Sequence, residues 1–386
     1  MTDSLFLSIL SDHLNGRTTA NPKNYVDWER LLTLAEQHEV RGIIYHQCKT
    51  FIPEPYRARL AQLYAMELHS YQNRCRFFDV LSATLGDANI PFFTVKGLDV
   101  ARLYPFPALR TMGDCDIIVR EQDKERAHEV FLALGYNNRL KEDKEWTYFK
   151  SGLEFELHHS LLYEGLGNTD ESVAFCKSVW KHVAEENGRT TLGWSFHYIF
   201  LLLHLHKHLI FLGVGIRQFM DLYIVSHSVH LDWAWIDAEL EKLGLLAFSR
   251  RCTELTEAWF GGRELTDQDR HCLEKVLRNG AFGFHDATNL ENRRMDVIMR
   301  EKGPRWVTRF RKLLGSVFPS YAAMRRVEHY SGLNGRPWLL PIYWVYRWYR
   351  AVRYRMFDNG KQMIDNALVS EHEIKERQRE LSYWGL

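Results

Sequence analysis

No CxxC pair occurs in this chain of 386 residues; its six cysteines (Cys48, Cys75, Cys115, Cys176, Cys252, Cys272) stand singly, which argues against a disulfide framework or a thiolate zinc site. Proline is scarce, at ten residues, and no Pro/Gly/Ser-rich or single-residue run occurs. Flexible linkers, fibrous repeats and extended disorder are therefore not expected. Long apolar runs are missing as well: the nearly uncharged stretch from Pro337 to Tyr346 is about half the ~20 residues that a spanning helix requires. Met1-Thr2-Asp3 lacks the charged-then-apolar build of a secretion signal. Together with the unpaired thiols, this leads us to expect a reduced, cytoplasmic setting. A GxSxG elbow, a Walker loop, a dinucleotide glycine fingerprint and HExxH are all absent, so serine-hydrolase, P-loop and zincin chemistries have no support.

What is present is the composition of a globular protein, 46% hydrophobic and 26% charged. At roughly 100 to 200 residues per domain, the length suggests two or three units with ample core. The net charge of +1 hides an asymmetry, because thirteen basic residues face two acids between Arg300 and Arg355. That segment carries about +11 and leaves the remainder at about −10, so the C-terminal part is expected to meet something anionic. Within it, Trp338 to Phe357 interleaves arginine with tryptophan and tyrosine at near-helical spacing. This fits an amphipathic interfacial helix, an anion-binding surface, or a helix that packs its rings inward with arginine heads outward. Peripheral contact with the inner membrane face through residues 300–357 follows from the first of these.

The periodicity predicts an α+β protein, a small mixed-sheet core flanked by N-terminal and C-terminal helical regions. Residues 1–87 show helical spacing throughout, including an uninterrupted run from Pro55 to Leu85. Residues 88–165 form the α/β core. Strands are expected at Ile90–Val95 and Cys115–Val119, a short helix at Asp99–Leu103, an amphipathic helix at Glu121–Leu134, and a hairpin of Trp146–Lys150 and Leu153–His159 turned by Ser151-Gly152. Residues 166–270 are read as helical, with segments at Phe196–Leu212, Ile216–Val229, Trp233–Leu243 and Leu246–Phe260, completing a cleft; 271–386 form the basic, aromatic helical region.

The chemistry concentrates in the core. Asp114 and Asp116, one residue apart at the head of a strand, project to one face about 6 to 7 Å apart. Ile117-Ile118-Val119 follow, so the pair opens a buried strand. On the second hairpin strand Glu154, Glu156 and His158 share one face while Leu153, Phe155 and Leu157 share the other. Three acids from neighbouring strands suit a site for two divalent cations. Lys96-Gly97 ends the first strand in a turn, and Lys96 and Arg110 supply the positive charge that polyphosphates need. His204 and His208, four apart on one helix face, have zinc spacing, but position 205 is Leu rather than glutamate. A buried hydrogen-bonded role or nucleotide contact fits them better. Arg217 and Asp221 also read as an i,i+4 helix pair.

The run KGLDVARLYPFPALRTMGDCDIIV, followed by LEFELHHS, resembles a bacterial nucleotidyltransferase family within the DNA polymerase beta-like superfamily. The resemblance covers roughly residues 90–225, including His204, Lys207, His208, Arg217 and Asp221-Leu222. It implies transfer of a nucleoside monophosphate from a nucleoside triphosphate such as ATP to a hydroxyl or phosphate acceptor, with Mg²⁺ or Mn²⁺ required and pyrophosphate released. Asp114, Asp116 and Glu156 would be the catalytic metal ligands, with Glu154 the alternative third acid. Gly97 would approach the triphosphate, and Lys96, Arg110, Lys207 and Arg217 would contact it. A protein, sugar or small-molecule acceptor is favoured over RNA. A scaffold that has lost activity and binds membrane or RNA through its basic end is the alternative, and a nuclease using the same acids a weaker one.

Overall fold

The protein was analysed as a computed structural model that describes residues 2–281, apart from 24, 142–144, 163–167, 187–188 and 212, together with 318–324, 328–333, 335–353 and 371–386. One compact unit comprises Met1–Asn289 and Tyr383–Leu386, the other Leu290–Ser382. Much of the basic segment, including Arg300 to Lys312, Arg325, Arg326 and Arg355, lies outside the described residues.

The first unit opens with α1 (Thr2–Leu14), α2 (Trp28–Gln37), α3 (Arg41–Cys48) and the 34-residue α4 (Glu54–Asp87). Asp27 caps α2 by accepting the Arg30 backbone N–H, and Pro55 sits in the first turn of α4, where a missing N–H costs nothing. Five strands follow: β1 (Phe92–Val95), β2 (Asp116–Val119), β3 (Asn137–Lys141), β4 (Glu145–Lys150) and β5 (Leu153–His158). They order as β1-β2-β5-β4-β3, with β2 and β5 parallel and all other pairs antiparallel. Between them lie α5 (Gly97–Ala101) and α6 (Lys124–Ala133). The β4–β5 turn is the expected Ser151-Gly152, both at positive φ (51° and 79°), the backbone that a two-residue hairpin demands.

Alternation along the strands divides two cores. Cys115, Ile117, Val119, Leu153, Phe155 and Leu157 face α4 and α6, packing on Phe78, Leu81, Leu85 and Phe131. Phe93, Val95 and Ile118 join the larger cluster built by the N-terminal helices and by the helices after the sheet. Those are α7 (Asp170–Lys177), α8 (Trp194–Phe211), α9 (Ile216–Ser228), α10 (Trp233–Lys242), α11 (Leu246–Trp259) and α12 (Asp267–Asn279), the last opened by a Thr266/Asp269 capping box. The buried acids thus sit on the sheet face turned toward α8 and α9. The α+β expectation holds, with one correction: residues 166–270 are not wholly helical. β6 (Val183–Glu186) and β7 (Arg189–Leu192) form a separate antiparallel hairpin; cross-strand pairing overrides the helix preference of Ala184, Glu185 and Glu186.

Phe155 is fully buried and meets Tyr136 edge to face at 5.2 Å. Phe155→Ala should therefore destabilise the protein by about 3–5 kcal/mol in urea unfolding followed by circular dichroism. A loss below about 1 kcal/mol would mean that this sheet face is not the packed core described.

Candidate active site

β2 begins at Asp116, which lies in register with Glu156 across the parallel pair. The ladder extends one step further back, because the Glu156 N–H donates to the Cys115 carbonyl at 3.0 Å. Side chains two apart share a face, so Asp116, Glu156 and His158 converge. His158 Nε2 stands 3.2 Å from Asp116 Oδ1 and 3.2 Å from Glu156 Oε2, and one donor atom from each of the three residues lies within 4.8 Å of the others. Lys96 Nζ reaches Asp116 Oδ2 at 3.4 Å. Asp114, just before the strand, lines a cavity of about 480 Å³ with Lys96, Gly97, Glu154, His204 and His208. That volume is of the size that takes small-molecule ligands.

The electrostatics follow from burial. At Asp114 burial, and then the Asp116 charge, push the carboxyl above its ordinary range. Asp116 is more deeply buried, yet Lys96 and His158 outweigh that penalty and hold it ionised, well below the usual carboxylate range. His158 is the reciprocal case: burial disfavours its cation, but hydrogen bonds to Asp116 and Glu156 raise it to about 9. His204 and His208 go the other way. Burial and then Lys96 lower both, His208 to about 4, and as neutral rings they bond Nε2 to Nε2 at 3.1 Å.

The turn that carries Lys96 is strained. Lys96 has φ 55° and ψ −125°, a conformation that costs a non-glycine residue about 1–3 kcal/mol. Gly97 follows at φ 23°. The turn persists because the Lys96 N–H donates to His197 Nε2 at 2.8 Å. Burial depresses His197 to about 3, so the ring stays a neutral acceptor; Trp194 stacks on it at 5.2 Å and 8°.

The arginines are committed to the framework. Arg110 donates twice to Asp221, at 2.9 and 2.6 Å, and Tyr104 Oη donates to the same carboxylate at 2.8 Å. Arg217 donates to Thr111 O at 2.8 Å and Oγ1 at 2.7 Å and pairs with Glu39 at 3.1 Å. The i,i+4 pairing of Arg217 with Asp221 is therefore replaced by two longer-range partners, although both arginines still border the cavity. Lys207 is half-buried on α8, near enough to lower His204 and His208. Of the residues expected at the site, the structure gathers Asp116 and Glu156 tightly and places Lys96, Gly97, Asp114, Arg110 and Arg217 around the adjoining cavity. Sequence reasoning missed His197 and Arg74. Arg74, buried on α4, donates to the carbonyls of Glu154 and Gly113, both at 3.0 Å, and so ties the approach to β2 to β5; neither residue carries a local sequence signal.

The site thus joins carboxylates from two adjacent strands, a lysine on a strained turn and a cavity bordered by α8 and α9. Residues 24–261 match the family described as "Uncharacterised nucleotidyltransferase", and the chain belongs to that family. The chain is also similar to the antibiotic-resistance factor ANT(2'')-Ia, whose solution structure was described as revealing substrate-regulated conformation dynamics. The likeness has 11% identity and a TM-score of 0.31, and covers 50% of this chain and 99% of that one. No curated protein matches the chain.

Asp221→Ala should cost about 3–5 kcal/mol in urea unfolding, because it strands a nearly buried guanidinium. Adding Arg110→Met should recover part of that loss. Losses that simply sum in the double variant would show that Arg110 does not depend on Asp221.

Proposed function

We infer that the chain is a metal-dependent enzyme that moves a nucleoside monophosphate from a nucleoside triphosphate to a hydroxyl or phosphate acceptor and releases pyrophosphate. The observation that carries this reading is the convergence of Asp116 and Glu156 from adjacent strands, with Lys96 paired to Asp116, beside a cavity that Lys96 and Asp114 line. Family membership supports the reaction class.

The donor set fits a hard divalent cation. Carboxylate oxygens from two adjacent strands are the ligands that Mg²⁺ or Mn²⁺ prefers, and the crowding of Asp114 against Asp116 and Glu156 is relieved by added positive charge. Asp116 and Glu156 would hold the ion, with Asp114 completing the set. Glu156 belongs to the donor cluster with Asp116, whereas Glu154 faces the cavity, which favours Glu156 over Glu154 as the acid from β5. When bound, such an ion polarises phosphate oxygens and eases ionisation of an attacking hydroxyl.

The chain's own groups do the positioning. Lys96, on a turn pinned by His197, aims one ammonium at the phosphate region. Arg110 and Arg217 border the cavity while paired with Asp221 and Glu39, so they would brace its wall and offer a substrate little net charge. His204 and His208, kept neutral, offer hydrogen bonds to a sugar or base without further charge. Residues 88–165 would supply the acids and 166–270 the opposite wall. A protein, sugar or small molecule is the favoured acceptor.

Incubation with each α-labelled nucleoside triphosphate, Mg²⁺ or Mn²⁺ and a cell extract should move label to an acceptor, and an Asp114→Ala/Asp116→Ala variant should lose at least ~10³-fold of that activity. Each productive nucleotide should also raise the melting temperature of the wild type in the presence of metal. Absence of both transfer and thermal shift would overturn the enzymatic reading and leave a scaffold.

A further inference from the structure

The second unit contains α13 (Leu340–Arg353) and α14 (Glu371–Ser382). On α13, Trp344 and Trp348 point to one side, where both meet Phe318 edge to face at 5.1 and 5.2 Å, and Trp344 Nε1 donates to the Pro319 carbonyl at 2.9 Å. The opposite side is largely exposed, although Tyr346 there meets the rings of Tyr330 and Tyr343 at 6.4 and 6.2 Å. Ile342, Val345, Tyr346 and Tyr349 recur at i, i+3, i+4 and i+7, and they are 63%, 60%, 44% and 61% exposed. Trp338, one turn earlier, continues the stripe at 70% exposure. Spacing of this kind ordinarily marks the face that a helix buries, so five large apolar or aromatic side chains in water call for an occupant.

Charge identifies it. The helix has no acidic residue, and the described Arg336 just before it and Arg347 on it are both basic. The surrounding segment from Arg300 to Arg355 has thirteen basic residues against two acids. A protein groove would match the apolar stripe alone, and a nucleic acid the charge alone. An anionic lipid surface matches both, because aliphatic groups enter the acyl boundary, tyrosine and tryptophan sit at headgroup level, and arginines meet phosphate. No helix among the described residues is long and apolar enough to cross a membrane, so contact of this kind lies in the interface plane. We propose that the Trp338–Tyr349 face of α13 docks the protein on anionic lipid bilayers, independently of the reaction at the cavity.

The test is co-sedimentation of the full-length protein with vesicles of phosphatidylcholine alone or with about one third phosphatidylglycerol. The expected result is binding to the anionic vesicles at least tenfold stronger than to the neutral ones, weakened by added salt, and reduced at least tenfold in Ile342→Glu/Val345→Glu at an unchanged melting temperature. Should that variant unfold, Tyr349→Ser and the salt series on the wild type decide the matter. Equal binding to both vesicle types, binding unaffected by the substitutions, or retention by RNA but not by vesicles would each overturn the proposal, as would a wild-type dimer that the double substitution dissolves without any lipid binding.

Discussion

The site depends on holding carboxylates together where water barely reaches. Asp114, Asp116 and Glu156 repel one another, and an unpaired buried charge is among the most destabilising features a fold can carry. Compensation comes from Lys96 on one side of Asp116 and protonated His158 on the other. Both partners are fixed by the backbone: His158 two residues after Glu156 on β5, Lys96 in a positive-φ turn whose N–H is held by His197. Remove either and the acids must protonate or move apart.

A second layer keeps the first in register. Asp221 on α9 collects Arg110 and Tyr104, whereas Arg217 reaches back to Thr111 and Glu39. The segment from Tyr104 to Thr111, which delivers the chain to Asp114, is thereby tied to the helical wall. Arg74 does the same from the far side of the sheet by binding the carbonyls of Gly113 and Glu154. Catalytic geometry tolerates errors of only about half an ångström, and rigid elements supply such tolerance better than free loops. Arg110 and Arg217, read in the sequence as ligand contacts, also hold framework partners here.

That distinction marks where sequence reading stops. Most of the sheet was legible because period-two alternation and a Ser-Gly turn are local: β1, β2 and β5 lie within the expected segments, β4 starts one residue before its own, β3 had no expected counterpart, and Cys115 faces the core as the alternation requires. The helices after residue 194 were legible from their period of about 3.6. The β6–β7 hairpin was not, because its short strands carry alanine and glutamate. The partners of Arg110 and Arg217 were equally hidden. Arg110 and Asp221 are 111 residues apart, whereas Arg217 and Asp221 share a helix surface, and propinquity in the chain suggested the wrong pair. His197 sits in an apolar run, and only the fold shows that its lone pair meets the Lys96 N–H.

Charge balance gives the strongest reason for a cation at this site. Glu154, Asp114, Asp116 and Glu156 surround one ammonium and one imidazolium, and a triphosphate would add several negative charges within a few ångströms. At an effective dielectric of about 20, each unit-charge pair 4 Å apart contributes about 4 kcal/mol of repulsion, more than one lysine can offset. Arg110 and Arg217 are largely neutralised by Asp221 and Glu39. A polyanionic substrate and this acidic rim are therefore compatible only when a divalent cation accompanies the substrate, which makes nucleotide binding and metal binding a single coupled event in the proposed reaction.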